Sequence, residues 1–156
     1  MIAIVDYGVG NLFSLVSSLK ALGLEAEVTG DASRLRAADR IILPGVGAFG
    51  DARRKLDDTG LVPVIREEAE KKPLLGICLG MQLLFDRSFE YGEHPGLGLV
   101  PGQVVDLRRD LTDQTLKVPH MGWNSLQIIQ DDPLFRHVRD GEYVYYVHSF
   151  YARDCA

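Results

Sequence analysis

The sequence predicts an α/β protein with a central, mainly parallel sheet flanked by helices, and with mixed or antiparallel strands in its second half. Short apolar runs typical of buried parallel strands lie at Ile2–Val5, Arg40–Leu43 and Leu74–Ile77. The segments between these runs carry apolar residues at helical spacing. Strands that alternate with helices along a chain pair in parallel, and the connecting helices cover the faces of the sheet.

The first strand, Ile2–Val5, is apolar at every position, which predicts burial on both of its faces. It ends in the turn-rich segment Asp6–Asn11, and Asn11 is a suitable N-cap for a helix that runs to about Leu22. Gly23 suits the position that follows the helix. The apolar residues of this helix share one face and are Leu12, Leu15, Val16, Leu19 and Leu22.

The rest of the first half continues the alternation of strand and helix. Strands are predicted near Ala26–Thr29, at Arg40–Leu43 and at Leu74–Ile77. Helices are predicted over residues 51–72, with a turn near 57–63, and over Met81–Arg87.

The second half reads as strands with few helices between them. We predict strands at Leu99–Leu107, Leu116–Val118, Ser125–Ile129 and Tyr143–Phe150, and a short turn or 3₁₀ segment at Asp132–Phe135. We expect these strands to be mixed or antiparallel. No linker or repeat divides the 156 residues, so the sequence predicts a single domain over 1–156.

The composition excludes several classes of protein. The net charge of −5 gives no electrostatic basis for binding nucleic acid or an anionic membrane. No apolar run approaches the ~20 residues of a membrane span. The start of the sequence does not look like a secretion signal, and the two cysteines do not form a disulfide framework. We therefore expect a cytoplasmic protein.

Cys78 lies in the pattern G-x-C-x-G, formed by Gly76–Gly80 between a predicted strand and a predicted helix. This is the thiol form of a nucleophile elbow, in which the nucleophile takes a strained turn and small neighbours allow chain segments to approach. The helix that follows favours a thiolate, and the Leu79 N–H can donate to an oxyanion. The alternative is an inert, buried cysteine flanked by packing glycines.

A second glycine-rich segment, Pro44–Gly50, also lies between a predicted strand and a predicted helix. It lacks the Lys and Ser/Thr of a phosphate-binding P-loop. Beside the elbow, the N–H of Val46 or Gly47 could donate to the same oxyanion; the alternative is an ordinary connecting loop. None of the four histidines, His94, His120, His137 and His148, lies in a setting that marks it as the general base.

Taken together, these motifs resemble a known family. The segments Asp6–Asn11, Pro44–Gly50, Gly76–Phe85 and Pro119–Asn124 occur in the order and spacing of the class I (triad) glutamine amidotransferases. The resemblance is greatest to the glutaminase subunits of imidazole glycerol phosphate synthases, and runs from Met1 to about Tyr151. It implies the three-layer fold of that class and a role in histidine biosynthesis.

The resemblance implies that the Cys78 thiolate attacks the side-chain amide of L-glutamine, and that a thioester is then hydrolysed to glutamate. It makes Leu79, Gly47 and Val46 the oxyanion-hole residues. Glutamine would be held by the residues Gln82, Gly45, His148, Ser149 and Phe150. The resemblance implies no cofactor and no metal.

The resemblance also implies a partner. In the family, ammonia passes to a cyclase subunit with a (βα)₈-barrel fold, and the heterodimer combines hydrolase and lyase chemistry. Asn11, Met121 and Trp123 would face this partner. The alternative for Trp123 is a core anchor.

One feature departs from the family pattern. The triad His and Glu belong to a His-Pro-Glu motif near the family's C-terminus, and residues 1–156 contain none; His94-Pro95 is followed by Gly96. We therefore expect a C-terminally incomplete amidotransferase domain, with little activity over residues 1–156 alone. The alternative functions are another cysteine-elbow hydrolase and a non-catalytic module that binds the partner.

Overall fold

The computed structural model describes residues 1–113 and 115–155, which divide into two compact units. The first unit holds Met1–Val105 and the chain from Ala152 onward, and the second holds Asp106–Tyr151. Among the helices of the described residues, none has the length and apolar character needed to cross a bilayer.

A parallel sheet forms the centre of the first unit, as the sequence predicts. Its strands are β1 (Ile2–Val5), β2 (Ala26–Thr29), β3 (Arg40–Leu43) and β4 (Leu74–Gly76), in the order β2-β1-β3-β4. The connecting helices are α1 (Leu12–Ala21), α2 (Ala32–Ala37), α3 (Phe49–Asp58), α4 (Val62–Ala69) and the single turn α5 (Leu79–Gln82).

Both faces of β1 are buried, because successive side chains point to opposite sides of a strand. Ala3 and Val5 join the larger core cluster, which includes residues of α2, α3 and α4. Ile2 and Ile4 join a smaller cluster against the apolar stripe of α1. Helices therefore cover both faces of the sheet. Asn11 caps α1, since its side chain accepts a hydrogen bond from the Ser14 N–H at 3.2 Å.

Helix α2 is not predicted by the sequence analysis, because its six residues are too short for a periodic pattern. Polar contacts at its two ends hold it. Asp31 accepts from the Ser33 N–H at 2.6 Å, and the Lys72 ammonium donates to the carbonyls of Arg36 at 2.8 Å and Ala38 at 2.7 Å.

The predicted helix Met81–Arg87 is wrong beyond its first turn. Strand β5 (Phe85–Ser88) replaces its second half, because backbone bonds draw the chain towards the segment 96–99. The Leu97 N–H donates to the Leu83 carbonyl at 2.7 Å, and the Leu99 N–H to the Leu84 carbonyl at 2.8 Å. The strands β6 (His94–Pro95), β7 (Val100–Asp106) and β10 (Phe150–Arg153) complete a second sheet of order β10-β7-β5-β6.

The second unit contains an antiparallel ribbon of β8 (His120–Ser125) and β9 (Tyr143–His148). The structure corrects three predicted strands here. Residues 116–118 form no strand, the strand predicted at Ser125–Ile129 lies earlier, at β8, and the strand predicted to reach Phe150 breaks at Ser149. Short 3₁₀ segments occur at Leu107–Arg109 and, as predicted, at Pro133–Phe135.

Candidate active site

Cys78 lies at the turn between β4 and α5 with a strained backbone. Its φ of 54° and ψ of −119° belong to a region that side chains other than glycine rarely enter. Among the described residues, only Tyr91 and Asp154 share a positive φ without being glycine. Strain of this kind costs about 1–3 kcal/mol and persists only where surrounding packing holds it.

The glycines on either side of Cys78 are required by close backbone contacts. A Cβ atom on Gly80 would lie 1.9 Å from the Leu43 carbonyl oxygen, and one on Gly76 would lie 2.5 Å from the Met81 Cα. Neither neighbour is a flexible side chain, so any larger residue would push the elbow away from β3 or unwind α5. The G-x-C-x-G spacing is therefore a steric requirement of this turn.

The glycine-rich loop Pro44–Gly50, which joins β3 to α3, contacts the elbow. A Cβ atom on Gly45 would lie 2.5 Å from the Gly80 backbone nitrogen and 2.9 Å from the Leu79 carbonyl carbon. Gly47 has a φ of +90°, a conformation that glycine adopts without strain. The loop and the elbow are thus in contact along their backbones.

Several amide groups at this junction are free to donate. The Gly80 N–H donates to the Ile77 carbonyl, while those of Met81 and Gln82 donate to the Cys78 carbonyl. Within residues 1–113 and 115–155, by contrast, the amides proposed for the oxyanion donate to no protein acceptor; they belong to Leu79, Val46 and Gly47. Such donors can stabilise negative charge that develops on a carbonyl oxygen.

A cavity of about 240 Å³ adjoins Cys78 and brings several of the predicted residues together. Its lining residues come from the start of α1, the glycine-rich loop and the elbow, and are Asn11, Ser14, Leu15, Ser18, Pro44, Gly45, Val46, Ile77 and Cys78. No histidine or carboxylate is among these described lining residues. Gln82 is half-buried in α5 and does not line this cavity.

Glu90 is a residue of this region that sequence reasoning missed. Its carboxylate accepts a hydrogen bond from the Phe49 N–H at 2.7 Å, where the glycine-rich loop enters α3. The Glu90 N–H in turn donates to the buried Ser88 hydroxyl at 3.2 Å. The pairing joins residues 41 positions apart, and no local pattern signals it.

The remaining predicted site residues lie in the second unit. The Ser149 carbonyl accepts from the Leu107 N–H at 2.9 Å, which fixes the break between β9 and β10. The His148 ring lies 2.9 Å from the Phe150 carbonyl through Nδ1 and 3.2 Å from the His120 Nδ1 through Nε2. His148 is therefore engaged at both ring nitrogens.

One face of the β8–β9 ribbon is apolar and exposed. We name it the ribbon face, and its residues are Met121, Trp123, Tyr143, Tyr145 and Val147. Met121 lies opposite Val147, and Trp123 lies opposite Tyr145, with the two rings edge to face at 5.5 Å. Trp123 is 66% exposed, so core packing within the described residues does not account for it.

Comparison with known proteins identifies the family. The sequence profile of the class-I glutamine amidotransferases matches residues 3–155. The chain is 49% identical to imidazole glycerol phosphate synthase subunit HisH of Sulfurimonas denitrificans over 97% of this chain and 73% of that protein. It is 53% identical to the HisH subunit of Lacticaseibacillus casei over 97% of this chain and 72% of that protein.

The fold agrees with this match. A crystal structure of a glutamine amidotransferase superposes with a TM-score of 0.71 at 19% identity, covering 98% of this chain and 74% of that one. The chain thus spans about three-quarters of the length of the relatives it matches. Within the class-I glutamine amidotransferases, it belongs to the family of HisH subunits of imidazole glycerol phosphate synthase.

Proposed function

We propose that this protein hydrolyses L-glutamine to glutamate and ammonia through a thioester on Cys78, and delivers the ammonia to a (βα)₈-barrel cyclase subunit. The single observation that carries this proposal is the strained elbow at Cys78 in contact with a glycine-rich loop. The complex we propose is a cytoplasmic heterodimer that serves histidine biosynthesis and combines hydrolase and lyase chemistry.

The proposed reaction has two steps. The Cys78 thiolate attacks the side-chain carboxamide carbon of glutamine, and the carbonyl oxygen becomes an oxyanion that accepts from Leu79 N–H and from Val46 or Gly47 N–H. The C–N bond then breaks as the nitrogen takes up a proton and leaves as ammonia. Water next adds to the thioester, the C–S bond breaks, and glutamate and the free thiol result.

Proton transfer in both steps requires a general base. Residues 1–156 contain no His-Pro-Glu triplet, and no histidine of the described residues lines the cavity at Cys78. We therefore assign the base to none of His94, His120, His137 or His148.

For substrate binding in the first unit, we propose Gln82 and Gly45. The family resemblance implies the same role for the segment His148–Phe150. Gln82 lies one helical turn after the nucleophile, and its N–H donates to the Cys78 carbonyl at 3.2 Å. Gly45 lines the cavity at Cys78. The half-buried segment His148–Phe150 spans the break between β9 and β10.

The cavity at Cys78 supports transfer of ammonia towards the partner. It extends from the nucleophile to Asn11, which we propose faces the cyclase. Phe13, two positions after Asn11, is 83% exposed and would extend the same partner surface. A small neutral molecule released at Cys78 would thus have an exit on the partner side.

The proposal is tested by measuring glutamate release from the protein expressed from its complete reading frame, with and without the cyclase. We expect the cyclase to stimulate hydrolysis. Equal hydrolysis without the cyclase would favour an independent cysteine-elbow hydrolase. Binding of the cyclase with no hydrolysis at all would favour a non-catalytic partner module.

Replacing Trp123 by alanine is expected to weaken cyclase binding about 30-fold, since aromatic anchors at the centre of an interface contribute ~2 kcal/mol or more. The measurement is the dissociation constant by titration calorimetry. Ile129→Ala is the matched control, because Ile129 is 92% exposed in the same unit but does not belong to the ribbon face. Equal affinities for the two variants would reject the interface role of Trp123.

A further inference from the structure

Tyr7 is a buried polar residue that the mechanism above does not use. It lies two residues after the end of β1, is only 4% exposed, and packs in the larger core cluster that also contains Leu43 and Leu79. Its hydroxyl donates to the Pro44 carbonyl at 2.6 Å, across 37 positions of sequence. A buried phenol needs such a partner, but its partner here is the first residue of the glycine-rich loop.

The Pro44 carbonyl, which accepts the hydrogen bond from Tyr7, belongs to the Pro44–Gly45 peptide bond, and this peptide contacts the elbow. A Cβ atom on Gly80 would lie 2.9 Å from the Pro44 carbonyl carbon, and one on Gly45 would lie 2.5 Å from the Gly80 nitrogen. The Pro44–Gly45 peptide is thus pressed against the backbone that follows Cys78. The next two amides along the chain are those of Val46 and Gly47.

Gly10 supports the same proline from another direction. A Cβ atom on Gly10 would lie 2.8 Å from the Pro44 Cβ. The segment Asp6–Asn11 therefore contacts Pro44 at two points: Tyr7 donates to its carbonyl, and Gly10 packs against its ring. Burial also raises the pKa of Tyr7 above its usual value, so the phenol keeps its proton and remains a donor throughout the neutral range.

We propose that Tyr7 is a positioning residue for the oxyanion hole, which fixes the Pro44–Gly45 peptide so that the loop amides and the Leu79 amide face one oxyanion. This inference rests on the proposed function. Tyr7 touches no substrate and acts only through Pro44. The alternative is a purely structural role, in which the ring fills the core and the hydroxyl only needs the Pro44 carbonyl as a hydrogen-bond partner.

Tyr7→Phe separates the two, because it keeps the ring and removes the donor. In the protein from its complete reading frame, at saturating cyclase, we expect kcat for glutamine hydrolysis to fall about tenfold with KM changed less than about threefold. The loss is smaller than the ~10²–10³-fold typical of removing an oxyanion donor, since the donors are displaced rather than deleted.

The matched control is Thr59→Val, which removes another hydroxyl that donates to a backbone carbonyl at 2.6 Å, at the far end of α3. It should leave kcat unchanged. Alkylation of Cys78 by iodoacetamide, which develops no oxyanion, should proceed at the same rate in Tyr7→Phe and in the unmodified protein. A general loosening of the elbow would instead change alkylation and turnover together.

Amide hydrogen exchange provides a readout that does not depend on activity. Segment 44–50 should exchange faster in Tyr7→Phe than in Thr59→Val. Because exchange does not depend on turnover, this result would hold even if the parent protein hydrolysed no glutamine and the proposed function were overturned. Unchanged exchange, or a kcat within about twofold of the parent value, overturns the role of Tyr7. If Tyr7→Phe does not fold, Gly10→Ala displaces the same proline with the phenol in place, and an unchanged kcat there rejects the proposal.

Discussion

Replacing Cys78 by alanine is expected to abolish glutamine hydrolysis, with a loss of at least about 10⁴-fold in kcat, because no other group at the elbow can form the thioester. The measurement is glutamate release in the presence of the cyclase, together with mass spectrometry for the covalent intermediate. Cyclase binding should be retained, since the ribbon face is untouched.

Cys155→Ala is the matched control, because Cys155 is the other free, exposed cysteine of the chain. It should leave turnover unchanged. Activity in Cys78→Ala above about 1% of the parent value would reject Cys78 as the nucleophile. Cys78→Gly adds a separate test of backbone strain: with φ at 54°, glycine should give a more stable protein than alanine by about 1 kcal/mol.

Replacing Gly80 by alanine is expected to lower the free energy of unfolding by about 3 kcal/mol or more. The added Cβ would lie 1.9 Å from the Leu43 carbonyl oxygen, and both the elbow and β3 would have to move. The measurement is the urea midpoint of unfolding. Any folded fraction should also lose turnover, because the displaced segment carries the Leu79 amide.

Gly60→Ala is the control for Gly80. Gly60 has a positive φ of 69° but no atom within 4 Å of an added Cβ, so alanine there introduces backbone strain alone, about 1–2 kcal/mol. Equal free energies of unfolding for Gly80→Ala and Gly60→Ala would contradict the prediction, because the close contact at the elbow would then add nothing to the destabilisation.

The parallel sheet could be predicted because its strands are buried on both faces, which leaves continuous apolar runs such as those of β1 and β3. The same rule failed after Gln82. Leu83, Leu84 and Phe85 continue an apolar run, and only hydrogen bonds from residues 97–99 end the helix and begin β5. The predicted position of β8 is wrong because the apolar residues of this strand are exposed, so burial does not mark its ends.

The site was predictable where its chemistry is local in sequence. The elbow around Cys78 and the glycine-rich loop are each a continuous segment, and their small residues allow close backbone contacts. Tyr7 and Glu90 form hydrogen bonds with backbone groups of Pro44 and Phe49, 37 and 41 positions away, and neither pairing leaves a local signal. Such contacts become visible only in the folded chain.

Trp123 has a practical consequence for observing this protein. It is the only tryptophan in the sequence, and it lies exposed on the ribbon face of the second unit. Indole fluorescence of this chain therefore originates from one side chain on the proposed docking surface, and its emission wavelength responds directly to loss of water there. The sheet and helices of the first unit contribute nothing to that emission, so their unfolding has to be followed by circular dichroism.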